Sequence, residues 1–201
     1  MIGGAAPYDE PFARFNEQLA AAMALGPTLI PEPTAFALGT VSGEGQPSVR
    51  ILLLKGVDEH GFVFYTNYES RKGVELLSHP GAAMCFHWPQ LERQVRVEGA
   101  VHVVTNAEAD SYFASRPRGS QIGAWASQQS RVIPQAGDLE ARVLDIEARF
   151  AGQPVPRPPH WSGFRLVPER LEFWHGMPSR LHERHVYARE HDGWRTEVLY
   201  P

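Results

Sequence analysis

The sequence predicts a mainly β fold with flanking helices, an antiparallel sheet closed or half-closed into a small barrel. Three observations carry that reading. Short β-branched and aromatic runs alternate with Gly-rich turns from residue 35 to residue 104. The connections between them are too short for a helical crossover, except between residues 67 and 81. The 17 Pro and 18 Gly leave room for only modest helix content. Closing the sheet would protect its edges.

The elements follow in chain order. Residues 1–10 read as a disordered N-terminal arm on a single domain spanning 1–201. FARFNEQLAAAMAL is a helix with Phe12, Phe15, Leu19 and Met23 on its apolar face. AFALGTV, PSVRILLLK and FVFYTN are strands separated by SGEGQ and VDEHG. ESRKGVELLS is a short helix that ends before Pro80, and AAMCFHW and RQVRVEGAVHVV are two further strands. Thr105 and Glu108 form a capping box ahead of NAEADSYFAS. A helix restarts after Pro117 with Ser120 as its N-cap, and DLEARVLDIEARF turns Leu139, Val143, Ile146 and Phe150 inward. SGFRLVPERLEFWHG reads as two strand segments around a turn at Pro168, and residues 185–190 and 193–199 as a closing hairpin.

Composition excludes several classes. Lys+Arg 19 against Asp+Glu 23 gives a net charge of -4, which speaks against a nucleic-acid or membrane-surface protein. No basic leader precedes an apolar run, and no apolar stretch has the length of a membrane span. The single Cys, Cys85, leaves no internal disulfide and makes a reducing, cytoplasmic setting the expectation. GxGxxG, P-loop, HExxH, nucleophile-elbow and CxxC patterns are absent, and the histidines show no metal spacing.

Several constellations remain. Arg71 and Lys72 stand in the first turn of a helix, where positive charge opposes the macrodipole unless an anion binds there. Arg50 and Lys55 bracket ILLL at odd spacing, so a regular strand would send them to opposite faces. Tyr112 and Arg116 share a helix face and, with Ser120, fit either a second phosphate grip or a plain helix cap with surface charge. Gln94 and Arg96 share strand parity, and so do Arg180, His182 and Arg184 if that stretch is extended. Residues alone point to a β-rich domain with two or three anion sites and a flat ring ligand.

The segments RILLLK (50–55), FYTNYESRK (64–72), LERQVRVEG (91–99), YFASRPRGSQIGAWAS (112–127), WSGFR (161–165), EFW (172–174) and RLHER (180–184) resemble the pyridoxine/pyridoxamine 5'-phosphate oxidase family. The resemblance runs from about residue 34 onward, and SRPRGSQIGAW together with RLH makes it specific. It implies an antiparallel FMN-binding split β-barrel that works as a homodimer, with FMN at the interface. It places the FMN contacts on Arg50, Ile51, Leu52, Leu53, Leu54, Lys55, Tyr65, Thr66, Arg71, Lys72, Gln94, Gln129, Ser130, Trp174 and Arg184. Substrate contacts fall on Lys55, Tyr112, Arg116, Ser120, Arg180, Leu181 and His182, with Arg180 and His182 nearest the chemistry.

The implied reaction is oxidation of pyridoxamine or pyridoxine 5'-phosphate to pyridoxal 5'-phosphate. A hydride passes to the flavin, and O2 takes the electrons and leaves as H2O2. The family's basic, Tyr-containing N-terminal arm is replaced here by MIGGAAPYDE, and Val198 stands where a near-terminal Arg is common. Two alternatives stand beside this reading. One is a related flavin oxidase acting on a phenazine precursor, a ring with no phosphate for Tyr112, Arg116 and Ser120 to hold. The other is a non-enzymatic flavin- or pyridoxal-phosphate-binding protein.

Overall fold

The computed structural model describes residues 4–201. Its strands are β1 (Ala5–Pro7), β2 (Ala35–Val41), β3 (Pro47–Leu53), β4 (Gly56–Asp58), β5 (Gly61–Asn67), β6 (Gly81–Trp88), β7 (Arg93–Val103), β8 (Trp161–His175), β9 (Glu183–Glu190) and β10 (Gly193–Leu199). Its helices are α1 (Glu10–Ala24), α2 (Arg71–Ser78), α3 (Asn106–Ser115), α4 (Arg118–Ala126) and α5 (Asp138–Arg149). Every strand pairing is antiparallel. No helix among the described residues is long and apolar enough to cross a membrane.

The long strand β8 organises the sheet. Its first half pairs with β5, its second half with β9, and β7 runs along its other side throughout. A ring therefore passes from β5 through β8, β7, β6 and β2 to β3. It closes because the chain of β3 runs on through Leu54 and Lys55 into β4, which pairs with β5. The wing β9–β10–β1 leaves the ring where β8 changes partner, so the barrel is split.

Alternation explains the core. Phe36, Leu38, Phe64, Met84, Phe86, Val95, Val97, Leu171 and Phe173 all face inward and are buried. Phe15 of α1 stands edge-on to Phe62 and Phe86, each at 4.9 Å between ring centroids, and plugs one end.

Five readings need correction. Residues 5–7 are not a free arm. They pair with Arg195–Gly193 of β10, and Tyr8 stacks on Trp194 while donating to the Glu59 carbonyl. An aromatic anchor beside a strand edge outweighs the entropy of a short terminal segment. Residues 1–3 lie outside the described residues. Met23 is 49% exposed, and Ala22, seven residues after Phe15, takes the buried position because two helical turns drift back to the same face. The N-cap of α4 is Pro117, so Ser120 lies inside the first turn. Pro168 makes no turn: β8 is one 15-residue strand with a bulge opposite Glu98/Gly99. A bulge is where a strand accepts a residue with no N–H to donate. Gly99 is required there, because a Cβ would lie 2.0 Å from the Val167 carbonyl oxygen. In α5, Val143, Ile146 and Phe150 pack inward as expected, while Leu139 is 38% exposed.

Candidate active site

The end of β3, the middle of β5, the start of β8 and the α3–α4 pair enclose a cavity of about 720 Å³. Lys55, Tyr65, Thr66, Tyr112, Arg116, Ser120 and Gln129 line it, together with Ile51, Leu52 and Leu53. Residues scattered over more than seventy positions of sequence thus converge on one concavity. Arg50 and Leu54 are the exceptions within Arg50–Lys55: Leu54 is buried in the core, and Arg50 pairs with Glu75. β3 ends at Leu53, so the opposite-face argument for Arg50 and Lys55 lapses, and Lys55 turns toward the cavity.

One wall of the cavity is aromatic. Tyr65 lies parallel to Tyr112 at 4.0 Å and to Trp161 at 5.4 Å. Gly163 pairs with Tyr65 across the strands, and a Cβ there would sit 2.7 Å from the Tyr65 ring. The Arg116 guanidinium packs over the Trp161 ring at 4.7 Å, and its Nη1 is buried without a hydrogen-bond partner. Burial pushes the Arg116 pKa down from its ordinary value, as expected for a cation moved out of water with nothing to neutralise it. Ser120 faces the same space, and its hydroxyl makes no capping bond. A half-buried guanidinium with one unpartnered nitrogen, beside a free hydroxyl and a phenol, fits an anion such as a phosphate monoester.

The second anion site lies at the start of α2. Ser70 caps the helix by accepting from the Gly73 amide. Lys72 is buried and donates to Thr66 Oγ1 (3.2 Å), Ser70 Oγ (3.2 Å) and Gln129 Oε1 (3.1 Å), all neutral acceptors. Burial, then the neighbouring Arg50 charge, push Lys72 down to about 8. The Arg71 amide donates to Ser130 Oγ at 3.2 Å. Glu75 accepts from Arg71 Nε at 2.8 Å, from Arg50 Nη2 at 3.3 Å and from Ser48 Oγ at 2.8 Å. Burial opposes ionisation of Glu75, yet hydrogen bonds from Thr40, Arg71 and Ser48 hold it down to about 2. Three cations around one carboxylate leave two positive charges unmatched, the charge of a phosphate dianion.

The remaining candidates gather elsewhere. Gln94, Trp174 and Arg184 are directly opposite one another on β7, β8 and β9, forming one row across the sheet face turned away from the core. His182 packs tilted against Trp174 at 4.6 Å between ring centroids, and its Nδ1 accepts the Met177 amide, so the neutral ring carries its proton on Nε2. The shared parity of Arg180, His182 and Arg184 fails, because residues 178–180 form a 3-10 turn and β9 begins only at Glu183. Ser179 and Arg180 both have φ near +60°, a left-handed pair that projects Arg180 and the 69%-exposed Leu181 from the turn. This row does not line the cavity. Trp161 and Trp174 stand at opposite ends of β8, about 40 Å apart along an extended strand.

Sequence reasoning missed three residues: Trp161 beneath Arg116, Glu75 between Arg50 and Arg71, and Glu172 beside Arg184. Glu75 had a signal, its i,i+4 spacing from Arg71. Glu172 had a weaker one, its shared strand parity with Trp174. Trp161 had none.

Comparisons with known proteins show the family. Residues 27–150 match the family described as pyridoxamine 5'-phosphate oxidase, and residues 161–201 match a pyridoxine 5'-phosphate oxidase C-terminal dimerisation region. A pyridoxine/pyridoxamine 5'-phosphate oxidase of Myxococcus xanthus is 62% identical over 170 residues, covering 85% of this chain and 82% of that protein. One of Rhodospirillum rubrum is 57% identical over 197 residues, covering 96% of each. Among solved structures, PhzG from Burkholderia lata in complex with tetrahydrophenazine-1-carboxylic acid superposes with a TM-score of 0.88 at 31% identity, over 96% of each chain. A pyridoxamine 5'-phosphate oxidase-related, FMN binding protein from Nostoc punctiforme shares the fold, with a TM-score of 0.73 at 20% identity over 92% of this chain and 96% of that one. With two family regions covering nearly all of β2 to β10 and relatives identical at more than half of their aligned positions, the chain belongs to the pyridoxamine 5'-phosphate oxidase family.

Proposed function

We propose that the protein is an FMN-dependent oxidase that converts pyridoxamine 5'-phosphate and pyridoxine 5'-phosphate to pyridoxal 5'-phosphate. The observation that carries the reading is Arg116, a half-buried guanidinium with a buried, orphaned Nη1 in a cavity shared with Tyr112, Ser120 and Lys55. These four side chains hold the substrate phosphate. Arg71, Lys72 and Ser130 hold the flavin phosphate, with Glu75 fixing Arg50 and Arg71 around it. Bound FMN supplies the hydride acceptor and passes the electrons to O2, yielding H2O2. The protein's share is orientation: two phosphate grips fix ring against ring, and the Tyr65–Tyr112–Trp161 stack stiffens one of them. Arg180 and His182 orient the reacting end of the substrate, with the Nε2–H of His182 available to it.

The site is completed by a second copy of the chain. The cavity and the Gln94–Trp174–Arg184 row lie at opposite ends of β8. Ile51 and Val49, on the outer face of β3, are 67% and 70% exposed, an apolar surface suited to burial between subunits.

The likeness to PhzG favours a second reading, oxidation of a reduced phenazine carboxylic acid. A carboxylate is also an anion, so Arg116 alone does not separate the two. The number of donors does: a guanidinium, an ammonium, a phenol and a hydroxyl match the oxygens of a phosphate better than the two of a carboxylate. The test is peroxide release from the purified yellow protein on pyridoxamine 5'-phosphate, unphosphorylated pyridoxamine and a dihydrophenazine carboxylate. Turnover of the phosphorylated vitamer alone is expected. R116A is expected to raise its KM on the order of 10–100-fold, the loss of a charged hydrogen-bond partner. Bound FMN with no turnover of the vitamers overturns the reading.

A further inference from the structure

Glu172 is the anomaly of the outer sheet face. Its neighbours in sequence, Leu171 and Phe173, point into the core, so Glu172 points away from it, yet its side chain is only 4% exposed. Its carboxylate accepts from Arg184 through both Nε (2.8 Å) and Nη2 (3.1 Å) and from Arg96 Nη1 at 3.3 Å. Arg184 is pinned further by Nη1 donating to the Tyr200 carbonyl at 3.1 Å. A guanidinium has five N–H groups, so three are spent on fixing it and one remains on each terminal nitrogen. A buried ion cluster is a poor source of stability, because apolar residues of similar volume do as well or better. What a two-pronged carboxylate does well is hold a planar fork in one orientation.

We propose that Glu172 is a positioning residue: it locks the Arg184 guanidinium, beside Trp174, in the orientation that meets the flavin. The inference rests on the proposed FMN-dependent function, with Arg184 in the flavin contact that the family resemblance implies. Arg96 shares the carboxylate but is itself split with Glu98, so it screens Glu172 without competing for the two-point contact with Arg184. Arg184 without Glu172 keeps its charge and loses its fixed direction.

The experiment is a double-mutant cycle on FMN affinity, read by quenching of flavin fluorescence on titration into apoprotein, for wild type, E172Q, R184A and E172Q/R184A. Thermal melting of each apoprotein is recorded alongside. E172Q is expected to weaken FMN binding on the order of tenfold. The double variant is expected to bind no more weakly than R184A alone, because Glu172 then has nothing left to orient. Melting temperatures report any structural loss separately, and a purely structural role would carry through to the double variant. E172Q binding FMN like wild type, or additive losses in the double variant, overturns the proposal. Wild-type apoprotein that fails to bind FMN overturns the parent reading itself, and the proposal with it. If E172Q does not fold, E172D, which shortens the reach to Arg184, takes its place in the cycle with the same expectations.

Discussion

Lys72 shows how a single side chain encodes the site. A buried ammonium with three neutral acceptors leans toward losing its proton even with Glu75 favouring the charge, and its pKa near 8 records that tension. The direction has two consequences. Unfolded chain keeps a proton on this lysine up to its ordinary 10.5, so the free protein gains stability as pH rises from about 8 toward 10.5. FMN binding does the reverse. A phosphate dianion favours the protonated lysine, binding takes up a proton above pH 8, and affinity falls by up to about tenfold per pH unit beyond it. Titrating FMN into apoprotein between pH 7 and pH 10 tests this, and K72M is expected to bind more weakly with a flatter profile. An unchanged affinity across that range in wild type contradicts it. The basic pair at 71–72 was legible in the sequence because charge against a helix dipole is a local conflict. The burial of Lys72 was not, because β5 and Gln129 bring their acceptors from other parts of the chain.

At the level of elements, the helices that carry the proposed substrate grip are set by their ends. The capping box was readable from four residues: Thr105 Oγ1 accepts from the Glu108 amide, and the Glu108 carboxylate accepts from the Thr105 amide at 2.9 Å. The same carboxylate takes Arg165 of β8 at 3.0 Å, which ties the start of α3 to the barrel. The Thr105 bonds, led by its side chain, and then Arg165 hold Glu108 below the usual carboxylate range. T105A is expected to cost about 1 kcal/mol in stability. Because α3 delivers Tyr112 and Arg116, it is also expected to raise KM for the phosphorylated substrate more than it changes kcat. Denaturant melts and steady-state kinetics on one variant separate the two effects; a loss confined to kcat would detach the cap from substrate binding. Ser120 and Pro168 show where the local code failed. Each residue type has a habitual place, cap or turn, and each was displaced by tertiary context: Pro117 takes the cap position, and the partner strand supplies a bulge.

On the scale of the whole molecule, the arrangement of the site was the least legible feature. Strand parity and helix spacing report neighbours within one element, and they correctly grouped Tyr112 with Arg116 and Gln94 with Arg96. They carry no information on which end of a 15-residue strand meets which ligand, because that depends on strands paired across long sequence separations. Two half-sites at opposite ends of β8 make a specific prediction if each active site takes its cavity from one subunit and its Arg180–His182 turn from the other. R116A damages only the cavity half, and R180A only the turn half. A heterodimer of the two, co-expressed with different tags and isolated by tandem affinity purification, collects both defects in one site and leaves the other intact. At substrate concentrations below KM, where both parent homodimers are nearly silent, such a heterodimer is expected to recover about half of the wild-type rate, one sound site of two. If each chain instead built its own complete site, every site in the heterodimer would carry one defect, and the activity would stay at the mean of the parents.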